Sequence, residues 1–177
     1  TGGAFFASLY AITDKSEYRD VARNATKWLL TIRKPDGEIP YILHGKTETR
    51  WPLDTMTYCA EAFIAADIHL KDAALREAMK KELRPSVEWL LKRQNADGSW
   101  GTLRSPDQQR SPRVVTLLSW YYREVDHDPK VAEAVRKYCR FLLDPANSKA
   151  YGVKELVRTT GFVGLVVADL LKANCTF

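Results

Sequence analysis

Three polar residues stand at helical spacing within one largely apolar stretch. Asp54, Tyr58 and Glu61 occupy positions i, i+4 and i+7, so a helix would place them on a single stripe. Two carboxylates on one buried stripe are a candidate general acid and base, because burial would separate their proton affinities. A structural reading is equally open, in which Asp54 caps the helix and Glu61 pairs with an arginine.

Four arginines form a second candidate group, because each precedes or begins an apolar segment. If those segments are helices, the arginines would ring one end of the fold and suit a diphosphate, a carboxylate or an acidic sugar. Ion pairs with neighbouring acidic residues would explain them equally well. The four residues are Arg50, Arg110, Arg113 and Arg158.

One histidine and two tryptophans complete the candidate ligand-binding residues. His44 lies in a long connection, where a lone histidine is more often inert than catalytic. Trp51 and Trp120 would line a cavity and stack on a sugar or a cation, although aromatic residues at such positions usually fill the core.

Composition and cysteine spacing exclude several classes of function. The net charge is +5, but basic and acidic residues are interleaved, which argues against nucleic-acid binding. Three scattered cysteines without a CxxC pair or a Cys/His cluster predict reduced thiols, an intracellular location, no metal site and no cofactor. The apolar stretches are far shorter than the ~20 residues of a membrane-spanning helix, so we expect a soluble protein.

An internal repeat is the strongest pattern in the chain. A Trp-Leu-Leu triplet begins at Trp28 and again at Trp89, and in both copies an Asp-Gly pair starts eight residues after the tryptophan. A weaker third copy begins at Phe141 and reaches Tyr151-Gly152. Such self-similarity is typical of architectures that stack one helical unit on the next.

The segments around these anchors alternate between two kinds. Residues 3–12, 55–70, 114–122 and 162–171 are apolar nearly all round and predict buried inner helices, whereas the three segments between them are amphipathic and predict outer helices. We expect Pro85 to kink or break the middle outer helix. The sequence therefore predicts one all-α domain over residues 1–177, or part of a longer chain.

The connections differ in length according to their place in the repeat. Those from inner to outer helices are short, whereas residues 34–52, 95–110 and 144–158 form long outer-to-inner connections. Long connections are often functional. We expect all three at one end of the fold, beside the N-termini of the inner helices, where backbone N–H groups and helix dipoles favour anions.

The pattern Trp89-Leu90-x-x-x-Gln94-x-x-x-Gly98-x-Trp100 resembles the QW repeat of the terpenoid cyclase and protein prenyltransferase superfamily. The resemblance implies an α/α toroid, here an incomplete arc of about three and a half antiparallel helical hairpins. The physical interpretation of the motif is structural: Gln94 can hydrogen-bond the turn backbone, Asp97-Gly98 supplies a turn that tolerates positive φ, and Trp100 packs on the outer helices.

The chain departs from the superfamily where the chemistry is concerned. Of the cyclases' acidic motif only Asp54 has a counterpart, because Leu53 stands where their proton donor would be. The Asp, Cys and His ligands with which prenyltransferases hold zinc find no equivalent set. Cys59 is five residues from Asp54, which places the two on different helix faces.

Three functions remain open on these observations. The first is a terpenoid-cyclase-like enzyme, or enzyme-derived domain, that binds a small apolar or anionic ligand and uses Asp54 as acid or base. The second is a carbohydrate-active α/α barrel of the glycoside hydrolase or polysaccharide lyase type, and the third a non-catalytic helical-repeat scaffold. In each case the apolar end segments predict self-association or further chain that covers them.

Overall fold

A computed structural model describes residues 2–43, 45–48, 52–101 and 112–147. Within these ranges the chain is mostly helical, which confirms the all-α prediction, and none of the helices is long and apolar enough to cross a membrane. The elements are α1 (Gly2–Thr13), α2 (Ser16–Thr31), β1 (Tyr41–Leu43), β2 (Lys46–Glu48), α3 (Pro52–Leu70), α4 (Ala73–Leu91), α5 (Pro112–Glu124) and α6 (Pro129–Leu143).

The chain divides into two compact units whose boundary falls inside α4. In the first unit, Thr1–Trp89, α1 packs against both α2 and α3, and α2 also contacts α3. In the second unit, Leu90–Phe177, α5 packs against α6. Each unit therefore contains at least one inner helix beside an outer one, as the alternating pattern predicts.

Helix α3 is buried around most of its circumference. Among its residues with described side chains only Ile68 is exposed, and apolar side chains on several faces are fully covered, among them Met56, Ala60, Phe63 and Ala66. In α5 the side chains described are likewise mostly buried, including Val114, Leu118 and Tyr121. The prediction that these two segments form buried helices is confirmed.

Helix α1 corrects the same prediction. Only Gly3 and Ala7 of this helix are buried, whereas Phe5 is 61% and Ile12 82% exposed. An apolar composition favours burial but does not supply the neighbour that covers each face. The expectation that residues 3–12 are buried on every side was therefore wrong for this chain.

The outer helices follow the amphipathic pattern with two corrections. In α6 the predicted core residues Val131, Val135 and Tyr138 are buried. In α2, however, the predicted inward-facing Val21 and Trp28 are 44% and 53% exposed. The residues of α4 and α6 that are equivalent to Trp28, Trp89 and Phe141, are buried.

Pro85 does not break α4, which runs without interruption from Ala73 to Leu91. A proline inside a helix removes one backbone hydrogen bond. Packing offsets that loss here, because Pro85 and Ser86 lie against the turn at Gly37, and the Ser86 hydroxyl donates a 2.6 Å hydrogen bond to the Gly37 carbonyl. The predicted break was wrong.

The first long connection contains a β-hairpin that the sequence analysis did not predict. Strands β1 and β2 pair antiparallel, with Tyr41 opposite Glu48 and Leu43 opposite Lys46. Gly45 in the turn has a φ of +76°, a conformation that glycine adopts readily. Three-residue strands are too short to give a clear alternating pattern, which is why periodicity missed them.

Candidate functional site

The candidate acid–base stripe lies on α3. Asp54 falls in the first turn of the helix, although its side chain is outside the described part, while Tyr58 and Glu61 are half-buried one and two turns further on. Helical spacing therefore places the three residues on one stripe, as predicted. A stripe of this composition on a largely buried helix can bind a polar group or exchange a proton with it.

The predicted ligand-binding residues are described only in part. Trp120 is 2% exposed within α5, so it fills the core in the described structure, which is the default reading of this residue. The backbone of Arg113 lies in the first turn of α5, but its side chain is outside the described residues. The remaining five, which also lie outside them, are His44, Arg50, Trp51, Arg110 and Arg158.

Cys59, one residue after Tyr58, is a free thiol on the same helix. Burial raises its pKa from 9.0 to about 11. The thiol therefore stays protonated at neutral pH, and a protonated thiol is a poor nucleophile.

The raised pKa of Cys59 predicts a loss of stability in alkali. A group with a folded-state pKa above its unfolded value contributes stability below pH 9 that is lost as the pH rises towards 11. We expect the free energy of unfolding to fall by up to ~3 kcal/mol over this range from this group alone. Urea titrations at several pH values should show this component in the wild type and not in Cys59→Ala, and equal slopes would contradict it.

The turn that follows α4 in the second unit is built by side-chain-to-backbone hydrogen bonds. The Gln94 amide donates to the Gly98 carbonyl at 2.9 Å and to the Ala134 carbonyl of α6 at 2.8 Å. The indole N–H of Trp100 donates to the Leu90 carbonyl at 2.8 Å, and its ring lies 5.7 Å from that of Tyr138. These contacts confirm the structural role predicted for the motif.

Gly98 explains why the turn requires glycine. Its φ is +91°, and a Cβ at this position would overlap the backbone carbonyl of Lys137 in α6. The Asp97 carboxylate accepts the backbone N–H of Ser99 at 2.9 Å, which closes the turn. The turn therefore rests directly on the backbone of the next outer helix.

The turn in the first unit has the same construction without the complete motif. Gly37, nine residues after Trp28 as Gly98 is after Trp89, has a φ of +102°, and a Cβ there would overlap the Pro85 carbonyl of α4. Asp36 accepts the backbone N–H of Glu38 at 3.1 Å. The structure therefore confirms two copies of the repeat, in each of which an Asp-Gly turn packs on the following outer helix. The third predicted turn, at Tyr151-Gly152, lies outside the described residues.

Arginine replaces glutamine at the variable position of the first turn. Arg33, five residues after Trp28, donates to the Glu82 carboxylate of α4 at 3.2 Å, where Gln94 bonds a backbone carbonyl of α6. Both residues thus fasten their turn to the next outer helix. Because the defining residues of both turns contact other parts of the protein, these turns are structural and the candidate chemistry lies elsewhere.

Two carboxylate–arginine pairs near the α3–α4 turn were not predicted from the sequence. Asp67 of α3 is buried and accepts a 2.6 Å hydrogen bond from Arg76 of α4, while Arg23 of α2 donates to Asp72 at 2.7 Å. The partners are 9 and 49 residues apart in sequence, so helical spacing gave no signal for them. These ion pairs link α3 to α4, and α2 to the turn between α3 and α4.

Asp72 predicts an acid-dependent contribution to stability. The N–H of Leu75, and then the Arg23 guanidinium, hold the pKa of this carboxyl below its usual 3.8. Stability from this group is therefore present above pH 4 and lost as the pH falls below it. We expect Asp72→Ala to lower the free energy of unfolding by ~1 kcal/mol at pH 7, the usual value of a helix cap.

Chemical denaturation at pH 7 and pH 2.5 measures this contribution. The difference between wild type and Asp72→Ala should shrink at the lower pH, because the wild-type carboxylate is then protonated. Asp72→Asn is the matched control, since an amide oxygen can still accept the Leu75 N–H. An unchanged difference at both pH values would contradict the assignment.

No family model matches the chain, and neither a curated protein nor a solved structure matches it. The residues described also contain no group of three or more His, Cys, Asp or Glu side chains that could hold a metal ion.

Proposed function

We propose that the protein is a terpenoid-cyclase-like α/α-toroid enzyme, or a domain derived from one, that binds a small apolar or anionic ligand beside the N-terminal part of α3. The observation that carries the proposal is the polar stripe of this otherwise largely buried helix. Tyr58 and Glu61 are half-buried there, in line with Asp54 in the first turn. In this proposal the polar side chains of the α3 stripe contact the bound ligand.

In this scheme Asp54 acts as the acid or base, with Glu61 as its partner further along the helix. The helix dipole stabilises the ionised form of Asp54 in the first turn.

Binding of a prenyl diphosphate tests the proposal. Isothermal titration with farnesyl diphosphate, and with inorganic diphosphate as the purely anionic probe, should detect binding to the wild type. We expect Asp54→Asn and Glu61→Gln to change the affinity or the turnover at least tenfold. Glu88→Gln on the exposed face of α4 is the matched control, because it removes a carboxylate far along the chain from α3.

A folded Asp54→Asn variant with unchanged binding and turnover would remove Asp54 from the mechanism. Binding of an oligosaccharide instead of either diphosphate would favour the carbohydrate-active alternative. Retention of the fold without binding of any of these probes would favour the scaffold.

The helical-repeat scaffold is the second candidate, and the two docked turns favour it. The two turns share the same spacing, and each joins one outer helix to the next. Contacts of this kind hold a repeat array together. A scaffold of this kind predicts that Asp54→Asn and Glu61→Gln alter stability alone.

A further inference from the structure

The exposed side of α2 has a counterpart on each of the other two outer helices. Each repeat begins with an aromatic residue, which we call its anchor; in the first repeat this is Trp28. Val21 lies seven residues before Trp28 and Asn24 four residues before it. We call these three residues the α2 stripe. The same positions around the anchor Trp89 are Glu82 and Pro85 in α4. Around Phe141 they are Ala134 and Lys137 in α6.

In α4 and α6 these positions receive the Asp-Gly turn of the preceding repeat. Arg33 bonds Glu82 and the Gly37 turn rests on the Pro85 carbonyl. Gln94 bonds the Ala134 carbonyl and the Gly98 turn rests on the Lys137 carbonyl. One outer-helix surface is thus used twice, within separate units of the chain, for the same purpose.

The anchors of α4 and α6, the two helices that receive an Asp-Gly turn, are buried, whereas the anchor of α2 is exposed. Trp89 and Phe141 are 1% and 2% exposed, whereas Trp28 is 53% exposed. Val21 is 44% exposed, and its counterpart Ala134 is 4% exposed. In the described part of the chain, the α2 stripe therefore has the aromatic residue and the helix position of a surface that receives an Asp-Gly turn, and its apolar residues are exposed to solvent.

We propose that the α2 stripe is the docking surface for the Asp-Gly turn of one further helical repeat of this kind. The glycine of that turn would lie against the Asn24 carbonyl, and the polar residue four positions before it would reach the stripe beside Val21. This inference does not depend on the proposed ligand site.

The occupant is a repeat rather than the α2 stripe of a second copy. The surfaces of α4 and α6 that receive a turn combine an aromatic side chain with a backbone carbonyl that only a glycine can approach closely. Two α2 stripes facing each other would bring carbonyl against carbonyl without a glycine turn between them. A repeat supplies both the glycine and the hydrogen-bond donor that precedes it.

The test adds a repeat to the full chain and measures the accessibility of α2. One tandem protein carries a second copy of residues 2–51 ahead of α1, and another carries a copy of residues 52–111. In both, Val21→Cys in the original α2 reports accessibility through its rate of maleimide labelling, followed by mass spectrometry. We expect the added turn to slow labelling at position 21 at least tenfold relative to the chain without it.

Two controls separate docking from general effects. Replacement of the added turn's glycine by valine should restore rapid labelling, because a side chain there would overlap the Asn24 carbonyl. Lys27→Cys should label at the same rate in all proteins, since its counterparts Glu88 and Arg140 keep exposed side chains in the repeats that do receive a turn.

Equal labelling at position 21 with and without the added repeat, in both tandem proteins, would overturn the proposal. Slower labelling of the single-copy chain as its concentration rises, together with a dimer in light scattering, would make a second copy the occupant and would also overturn it. Circular dichroism of each tandem protein shows whether the added helices have formed.

Discussion

Replacing Gly98 by alanine should lower the free energy of unfolding by at least ~3 kcal/mol, since two costs combine at this position. The φ of +91° is disfavoured for any residue with a Cβ, which costs ~1 kcal/mol. The added Cβ would also overlap the Lys137 carbonyl, so the turn or α6 must move. Because that oxygen belongs to a helix backbone, neither can move cheaply. Gly37→Ala should behave similarly against the Pro85 carbonyl.

Gly45 provides the matched control for the backbone contribution. Its φ is +76°, but a Cβ there would have no atom within 4 Å, so Gly45→Ala carries the conformational cost alone, ~1 kcal/mol. Urea denaturation followed by circular dichroism measures all three variants. Comparable losses for Gly45→Ala and Gly98→Ala would mean that the turn does not press on α6 as the geometry indicates.

Replacing Trp100 by alanine should cost ~3–5 kcal/mol, the usual range for removing a buried tryptophan. The side chain is fully buried against Tyr138, and its indole N–H bonds the Leu90 carbonyl near the end of α4. The variant therefore leaves a cavity and removes the side-chain donor of that carbonyl. Trp100→Phe should recover part of the loss, since it restores the aromatic packing but not the hydrogen bond.

Trp28 is the natural comparison because it is the same residue type in a different setting. With 53% of its surface exposed, Trp28→Ala should lower the free energy of unfolding by less than ~1.5 kcal/mol. Thermal or urea unfolding of the two alanine variants under identical conditions decides the matter. A loss at Trp28 as large as that at Trp100 would show that the α2 stripe is already covered in solution.

The two turns also bear on where function resides. Their glycines, together with Gln94 and Arg33, contact the following outer helix, and their aspartates accept backbone N–H groups within the turns. The proposed ligand experiments are directed at the α3 stripe, because it carries a half-buried carboxylate, Glu61, and a half-buried phenol, Tyr58, on a largely buried helix.

Much of this arrangement follows from the sequence alone. The Trp-Leu-Leu and Asp-Gly spacing predicted the repeat, the positive φ at Gly98 and the bonding of Gln94, because glycine and side-chain amides have strong local preferences in turns. Apolar periodicity predicted α3, α5 and the buried face of α6, and i, i+4, i+7 spacing predicted the shared stripe of Asp54, Tyr58 and Glu61. These features depend on residues close together in the chain.

Only the tertiary structure decided which of the predicted faces are covered. Trp28 and Trp89 occupy equivalent positions in the repeat, yet one is half-exposed and the other buried. Trp89 belongs to a helix on which the Gly37 turn rests at Pro85, whereas Trp28 keeps about half of its surface in solvent. Likewise Pro85 remains helical because a distant glycine turn packs against it. Whether a residue is buried depends on which other segment packs against it. The local sequence predicts which face of a helix is apolar but not which segment covers that face.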